Sequence, residues 1–135
     1  MNLTPYIIFN GKCEEALKYY STVFGGEIKN LMRFEGTPGE EMAQDKNQVM
    51  HATFEAPGML FMASDSGEVG LPSPTAGMVH LSINFDDRGK QENVFNTLSE
   101  GGEVTMALND TFWGARFGMV TDRYGLKWML STEHK

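Results

Sequence analysis

Thr22-Val23-Phe24-Gly25-Gly26-Glu27-Ile28 and Thr97-Leu98-Ser99-Glu100-Gly101-Gly102-Glu103-Val104 decide the fold, because they are one pattern used twice. In each copy a short apolar strand precedes an amphipathic helical stretch, a double glycine ends the helix, and a β-branched residue opens the next strand. A repeat of this kind predicts two copies of one supersecondary unit. Two similar half-sheets that meet leave a shared concave surface, which is where function is expected in a small protein.

Working outward from the first glycine pair, Ala16, Leu17, Tyr20, Val23 and Phe24 recur at helical spacing and form one apolar stripe. Glu14 and Glu15 stand in the first turn, where carboxylates favour the positive end of the helix dipole. Upstream, Tyr6 to Phe9 is a compact apolar run stopped by Asn10-Gly11, which predicts a short buried strand. The second copy runs from Val79 to Phe85, then Asp86-Asp87 as N-cap, then a helix carrying Val94, Phe95 and Leu98. Strands are expected at Ile28 to Phe34, Val49 to Phe54 and Met59 to Ala63, and again at Val104 to Leu108, Phe117 to Thr121 and Leu126 to Leu130. Ala56-Pro57-Gly58 and Asp122-Arg123-Tyr124-Gly125 supply the turns. The predicted fold class is therefore α+β, with two paired βαβββ units whose curved mixed half-sheets surround a concave cavity. One domain spans residues 1–135, with unit 1 over about 1–64, a Gly- and Pro-rich linker over about 65–77, and unit 2 over about 78–135. Gly36 to Gln48 reads as a polar loop, either a lid or a disordered excursion.

Composition excludes several classes of function. A chain of 135 residues with 41% hydrophobic content is long enough for one well-buried core and short for two independent domains. A net charge of −7 without a basic cluster argues against nucleic acid or an anionic membrane as partner. Neither a signal-like opening nor a bilayer-length apolar run is visible, so a cytoplasmic location is expected. The single cysteine, Cys13, excludes an internal disulfide and a cysteine zinc cage. Near a helix start its thiol has two readings, a lowered pKa or a small buried core residue.

Alternation assigns side chains to faces. Met50, Ala52 and Phe54 point one way, which leaves His51 and Thr53 opposite. Val79, Leu81, Ile83 and Phe85 leave Met78, His80, Ser82 and Asn84 opposite, and Leu126, Trp128 and Leu130 leave Lys127, Met129 and Ser131. Histidines of both halves thus fall on the face away from the helices, to be read either as a ligand face or as a solvated one. Phe112, Trp113 and Arg116 lie in a glycine-flanked loop, where an aromatic wall with a cation suits a planar or anionic small molecule. The alternative is that Phe112 and Trp113 cover a sheet edge or a subunit interface.

Pro5-Tyr6, Phe9-Asn10-Gly11, Glu14-Glu15-Ala16, Tyr19-Tyr20, Val23 to Ile28, Phe112-Trp113-Gly114, Phe117-Gly118 and Asp122 to Trp128 together carry a family resemblance. The chain resembles the vicinal oxygen chelate superfamily, which includes glyoxalase I, extradiol dioxygenases and fosfomycin and bleomycin resistance proteins. Within it, it resembles the PhnB-like branch, also labelled 3-demethylubiquinone 3-methyltransferase-like. The resemblance implies a homodimer. It also implies four ligand positions for one divalent metal, which fall here on Pro5, His51, Met78 and Met129. Of these only His51 suits a hard or borderline cation, since proline has no donor and thioethers prefer soft metals. His80 lies two residues beyond Met78 and offers a second imidazole. No metal and no cofactor is therefore expected. The methyltransferase label draws no support from the glycines, which end helices here, whereas a nucleotide-type loop opens one.

Two classes of function stay open, with any catalytic residue unassigned. The first is a metal-independent protein that binds a small organic molecule through His51, His80, Trp113, Arg116, Met78 and Met129. The second is a metal-dependent enzyme of glyoxalase or antibiotic-resistance type with an atypical site that includes His51.

Overall fold

A computed structural model describes residues 1–37, 40–42, 45–66, 78–112 and 114–133. The chain runs β1 (Tyr6–Phe9), α1 (Cys13–Phe24), β2 (Glu27–Arg33), a 3-10 turn (Glu40–Met42), β3 (Val49–Ala56), β4 (Met59–Asp65), β5 (Leu81–Phe85), α2 (Arg88–Ser99), β6 (Glu103–Asp110), β7 (Ala115–Thr121) and β8 (Lys127–Glu133). It divides into a first unit, Met1–Ser73, and a second, Pro74–Lys135. Each unit is βαβββ, with strand orders β1-β4-β3-β2 and β5-β8-β7-β6. The first strand of each unit pairs parallel with the last, and the other pairings are antiparallel. The α+β class and its two mixed half-sheets follow from the repeat as expected. Of the expected linker, residues 67–77 lie outside the described residues. In the polar loop, the Phe34 and Glu35 amides donate to the Gln48 and Lys46 carbonyls, so its described part closes as an extension of the β2–β3 pairing.

In unit 1 the helix stripe buries Cys13, Ala16, Leu17 and Tyr20. Tyr20 packs edge-on against Phe54 and Phe61, whose own rings stack 5.1 Å apart. The helix start has no side-chain cap from Lys12. Asp65, at the end of β4, does that work from across the unit. Its Oδ1 accepts the Gly11 and Cys13 amides at 2.9 Å, and its Oδ2 accepts the Val49 amide at 2.9 Å. One buried carboxylate thereby satisfies donors that a helix N-terminus leaves open and ties the helix to two strands.

Unit 2 begins its helix conventionally, with the Asp87 carboxylate accepting the Gly89 amide at 3.1 Å. Its buried stripe is Gln91, Val94, Phe95 and Leu98. Here the helix reaches down to the sheet. Gln91 Nε2 donates to the Arg116 and Leu130 carbonyls, and Gln91 Oε1 accepts from the Thr132 hydroxyl at 3.0 Å. Asp122 closes the last hairpin, accepting the Tyr124 and Leu126 amides on one oxygen and the Trp128 indole N–H at 2.8 Å on the other. The strand expected from Val79 begins only at Leu81, whose partner is Trp128. Val79 itself is exposed. The reason is β8, which starts at Lys127 and leaves little chain for residues further upstream to pair with.

The two glycines of each pair have different tasks. Gly25, at φ 73°, ends α1 in the left-handed region that only glycine enters without strain, whereas α2 ends on an extended Glu100 and Gly101, at φ 74°, takes the left-handed position of the turn that follows, closed by the Gly102 amide on the Ser99 carbonyl at 3.0 Å. Gly26 and Gly102 are close-approach positions. A Cβ on Gly26 would lie 2.6 Å from the Glu55 carbonyl, and one on Gly102 would collide with the Thr121 carbonyl.

Candidate functional site

A sheet covered by one helix on one face leaves the other face to be filled or used. In unit 1 that face is defined by register. Lys29 lies beside Thr53, Thr53 beside Met62, and Met62 beside Tyr6, while Met32 lies beside His51 and Ser64 beside Ile8. The face is rich in apolar surface, with Tyr6, Ile8, Met32 and Leu60 each 43–56% exposed. Its polar feature is a dyad in which Tyr6 Oη and His51 Nδ1 lie 3.1 Å apart. The two rings are tilted, with centroids 5.8 Å apart. Lys29 is engaged at the edge, 2.7 Å from Glu55 and 3.9 Å from Glu27. The Glu55 hydrogen bond and charge hold its ammonium above the ordinary lysine range.

In unit 2 the corresponding face carries a methionine row. Ser82, Met129, Met119 and Met106 follow one another across β5, β8, β7 and β6, and Asn84, Ser131, Phe117 and Asn109 form the next row. Thioether side chains of this kind give an adaptable apolar surface. Met129 and His51 therefore each stand on the helix-free face of their own sheet. Met78 precedes β5 and is exposed. His80 also precedes β5; its Nδ1 is buried and has no hydrogen-bond partner among the described residues. Trp113 lies outside the described residues.

Arg116 does not join this set. The sequence expectation put it in a loop, but pairing of Ala115 with Glu133 starts β7 two residues earlier than expected. Arg116 then lies beside Thr132, a residue on the α2 side, and its guanidinium is 3.4 Å from Glu92 of α2. The same register that turns Met129 away from the helix turns Arg116 toward it. Phe112 is exposed at a tight turn in which the Thr111 amide donates to the Ala115 carbonyl at 2.7 Å.

Cys13 follows the second of its two readings. It is fully buried, and burial, with Asp65 and Glu14 nearby, pushes its thiol far above the ordinary cysteine value. The inherited metal positions do not fit a divalent cation. Pro5 offers no donor, Met78 and Met129 offer only thioether sulfur, and His51 engages one ring nitrogen with Tyr6. Among the described residues no group of three or more His, Cys, Asp or Glu side chains is placed to hold a metal ion.

Tyr6, Ile8 and Met32 escaped the sequence reading. The run Tyr6 to Phe9 is apolar throughout, so alternation has no contrast to work on, and only the pairing of Tyr6 with Met62 shows which way the ring points.

Two βαβββ units of this topology define the vicinal oxygen chelate fold. The likeness extends to a glyoxalase family protein from Bacillus cereus, with a TM-score of 0.69 at 14% identity. The chain belongs to the family described as 3-demethylubiquinone-9 3-methyltransferase, whose model matches residues 1–131, and it is a PhnB-like member of the superfamily. The structure of protein PA1353 from Pseudomonas aeruginosa superposes with a TM-score of 0.86 at 38% identity, covering 100% of this chain and 99% of that one. A PhnB protein from Bacillus cereus, described as a putative 3-demethylubiquinone-9 3-methyltransferase, gives 0.80 at 30% identity over 98% and 99% of the two chains. Protein YjdN of Escherichia coli (strain K12) is 30% identical over 97% of this chain and 95% of its own length. Among the described residues no helix is long and apolar enough to cross a membrane.

Proposed function

We propose that this chain is a metal-independent small-molecule-binding protein, acting as a cytoplasmic homodimer. The observation that carries the reading is the helix-free face of unit 1, where Tyr6, Ile8, Met32 and Leu60 expose apolar surface around the Tyr6–His51 dyad. Monomeric proteins rarely leave contiguous apolar surface of this kind without a use for it, and ligand sites combine such surface with few polar groups. His51, His80, Met78, Met129 and Trp113 remain the proposed contacts, with Tyr6 added. Arg116 is left out because Glu92 engages it on the other side of its sheet. The chemistry of Pro5, Met78 and Met129 supports work without a metal, and a single buried cysteine suits a reducing compartment.

Isothermal titration with Zn²⁺, Ni²⁺, Mn²⁺ and Cu(I) tests the metal-independent reading. No stoichiometric tight binding is expected. Tight binding that disappears in His51→Ala would instead establish the alternative, a metal-dependent enzyme of glyoxalase or antibiotic-resistance type with an atypical site. Sedimentation equilibrium at micromolar concentration is expected to return a dimer.

A further inference from the structure

The Tyr6–His51 dyad has a direction. A phenol donates a hydrogen bond better than it accepts one, because its oxygen lone pair is drawn into the ring, while an unprotonated imidazole nitrogen is a good acceptor. At 3.1 Å the favoured arrangement is therefore Tyr6 Oη–H to His51 Nδ1. That fixes the tautomer, since a neutral imidazole whose Nδ1 accepts carries its proton on Nε2. His51 then presents an N–H donor from the middle of an apolar face, and among the described residues that donor has no protein partner.

Charge on this face narrows what the donor is for. Lys29, in the row beside Thr53, is neutralised by Glu55 and Glu27, and Arg33 is drawn to the helix side by Glu14 at 3.0 Å. A carboxylate or phosphonate seated against His51 would be desolvated by Ile8, Met32 and Met62 with no free cation among the described residues of this sheet face to compensate it, which is costly. A neutral carbonyl oxygen needs only the one donor on offer.

We infer that Tyr6 is a specificity-setting residue that holds His51 as an Nε2–H donor, selecting flat, largely apolar ligands that carry a neutral acceptor oxygen, such as ketones, quinones or amides, over carboxylates of the same shape. This rests on the reading that the unit 1 face binds small molecules. Its first consequence concerns the protein alone. Nitrogen NMR of imidazole-labelled full-length chain near neutral pH is expected to show His51 Nδ1 as the unprotonated ring nitrogen, and Tyr6→Phe is expected to restore a mixture of tautomers. A wild-type His51 protonated at Nδ1 overturns the inference while leaving ligand binding untouched. The second arm uses acetophenone and benzoate as matched probes, followed through amide shifts of β1 and β3. Acetophenone is expected to bind more tightly, and His51→Ala to weaken it about tenfold, as loss of one oriented hydrogen bond implies, whereas Tyr6→Phe is expected to weaken it only by the share of His51 that leaves the Nε2–H tautomer, about twofold. Benzoate binding more tightly than acetophenone overturns the neutral-acceptor preference but keeps the face as a site. Neither probe shifting these residues, even at millimolar concentration, overturns the binding reading itself.

Discussion

The two units share a topology but join helix to sheet in opposite directions. In unit 1 the strand reaches up, Asp65 of β4 gathering the amides of Gly11, Cys13 and Val49. In unit 2 the helix reaches down, Gln91 of α2 bonding the carbonyls of Arg116 and Leu130 and the hydroxyl of Thr132. Asp65 and Thr132 hold equivalent register positions, opposite Phe9 in β1 and Phe85 in β5. Gln91 in turn stands where Cys13 stands in the buried stripe of the other helix. The shared topology thus accommodates a buried polar link near the helix start in both units. It does not fix which side supplies it, nor whether it carries charge.

The sharpest way to break this comparison is to delete the strand-side group in each unit. Asp65→Ala strands three backbone donors, and at about 1–3 kcal/mol for each unsatisfied group it is expected to cost more than about 3 kcal/mol in urea unfolding. Thr132→Val removes one hydroxyl bond and is expected to cost far less. Equal losses would show that the two links are not different in kind. The next largest effect concerns what the units share. Gly26→Ala and Gly102→Ala each push a methyl into a backbone carbonyl, and each is expected to lower stability by about 1–3 kcal/mol, with a lower thermal midpoint. Gln91→Leu is expected to cost about 1–2 kcal/mol, and because Thr132 shares its network, the double variant with Thr132→Val should lose less than the sum of the two.

The smallest effect is at the unit 1 surface. The Arg33 hydrogen bond and charge hold the Glu14 carboxyl below its ordinary value of 4.5. A carboxyl whose folded pKa is depressed adds stability above the unfolded value and loses it as pH falls through the folded one. Glu14→Gln is therefore expected to cost under about 1 kcal/mol at neutral pH, screened by salt, and to make stability fall less steeply as pH drops below about 4.5.

Much of this architecture was legible in the sequence because it rests on local requirements. The helix stripes, the Asp87 cap and the glycine pairs each announce themselves within a few residues. So does the alternation that turns His51 and Met129 off the helix side, because polar and apolar residues alternate visibly in β3 and β8. Asp65 was not legible, since nothing near it in sequence marks a carboxylate that serves a helix start 52 residues away. Arg116 was misplaced for a related reason. Its face depends on where β7 begins to pair with β8, and the glycine at 114 reads locally as loop. Tyr6 went unnoticed because a uniformly apolar strand hides its own alternation, and the partner that orients it is on β3.

Native mass spectrometry of freshly purified protein tests the central claim most directly, namely that the face around His51 holds an organic molecule and needs no metal. The account predicts a fraction carrying one small organic adduct, reduced in His51→Ala without loss of folded protein, and no stoichiometric metal. One divalent metal ion per chain in the wild type, absent from His51→Ala, would contradict it.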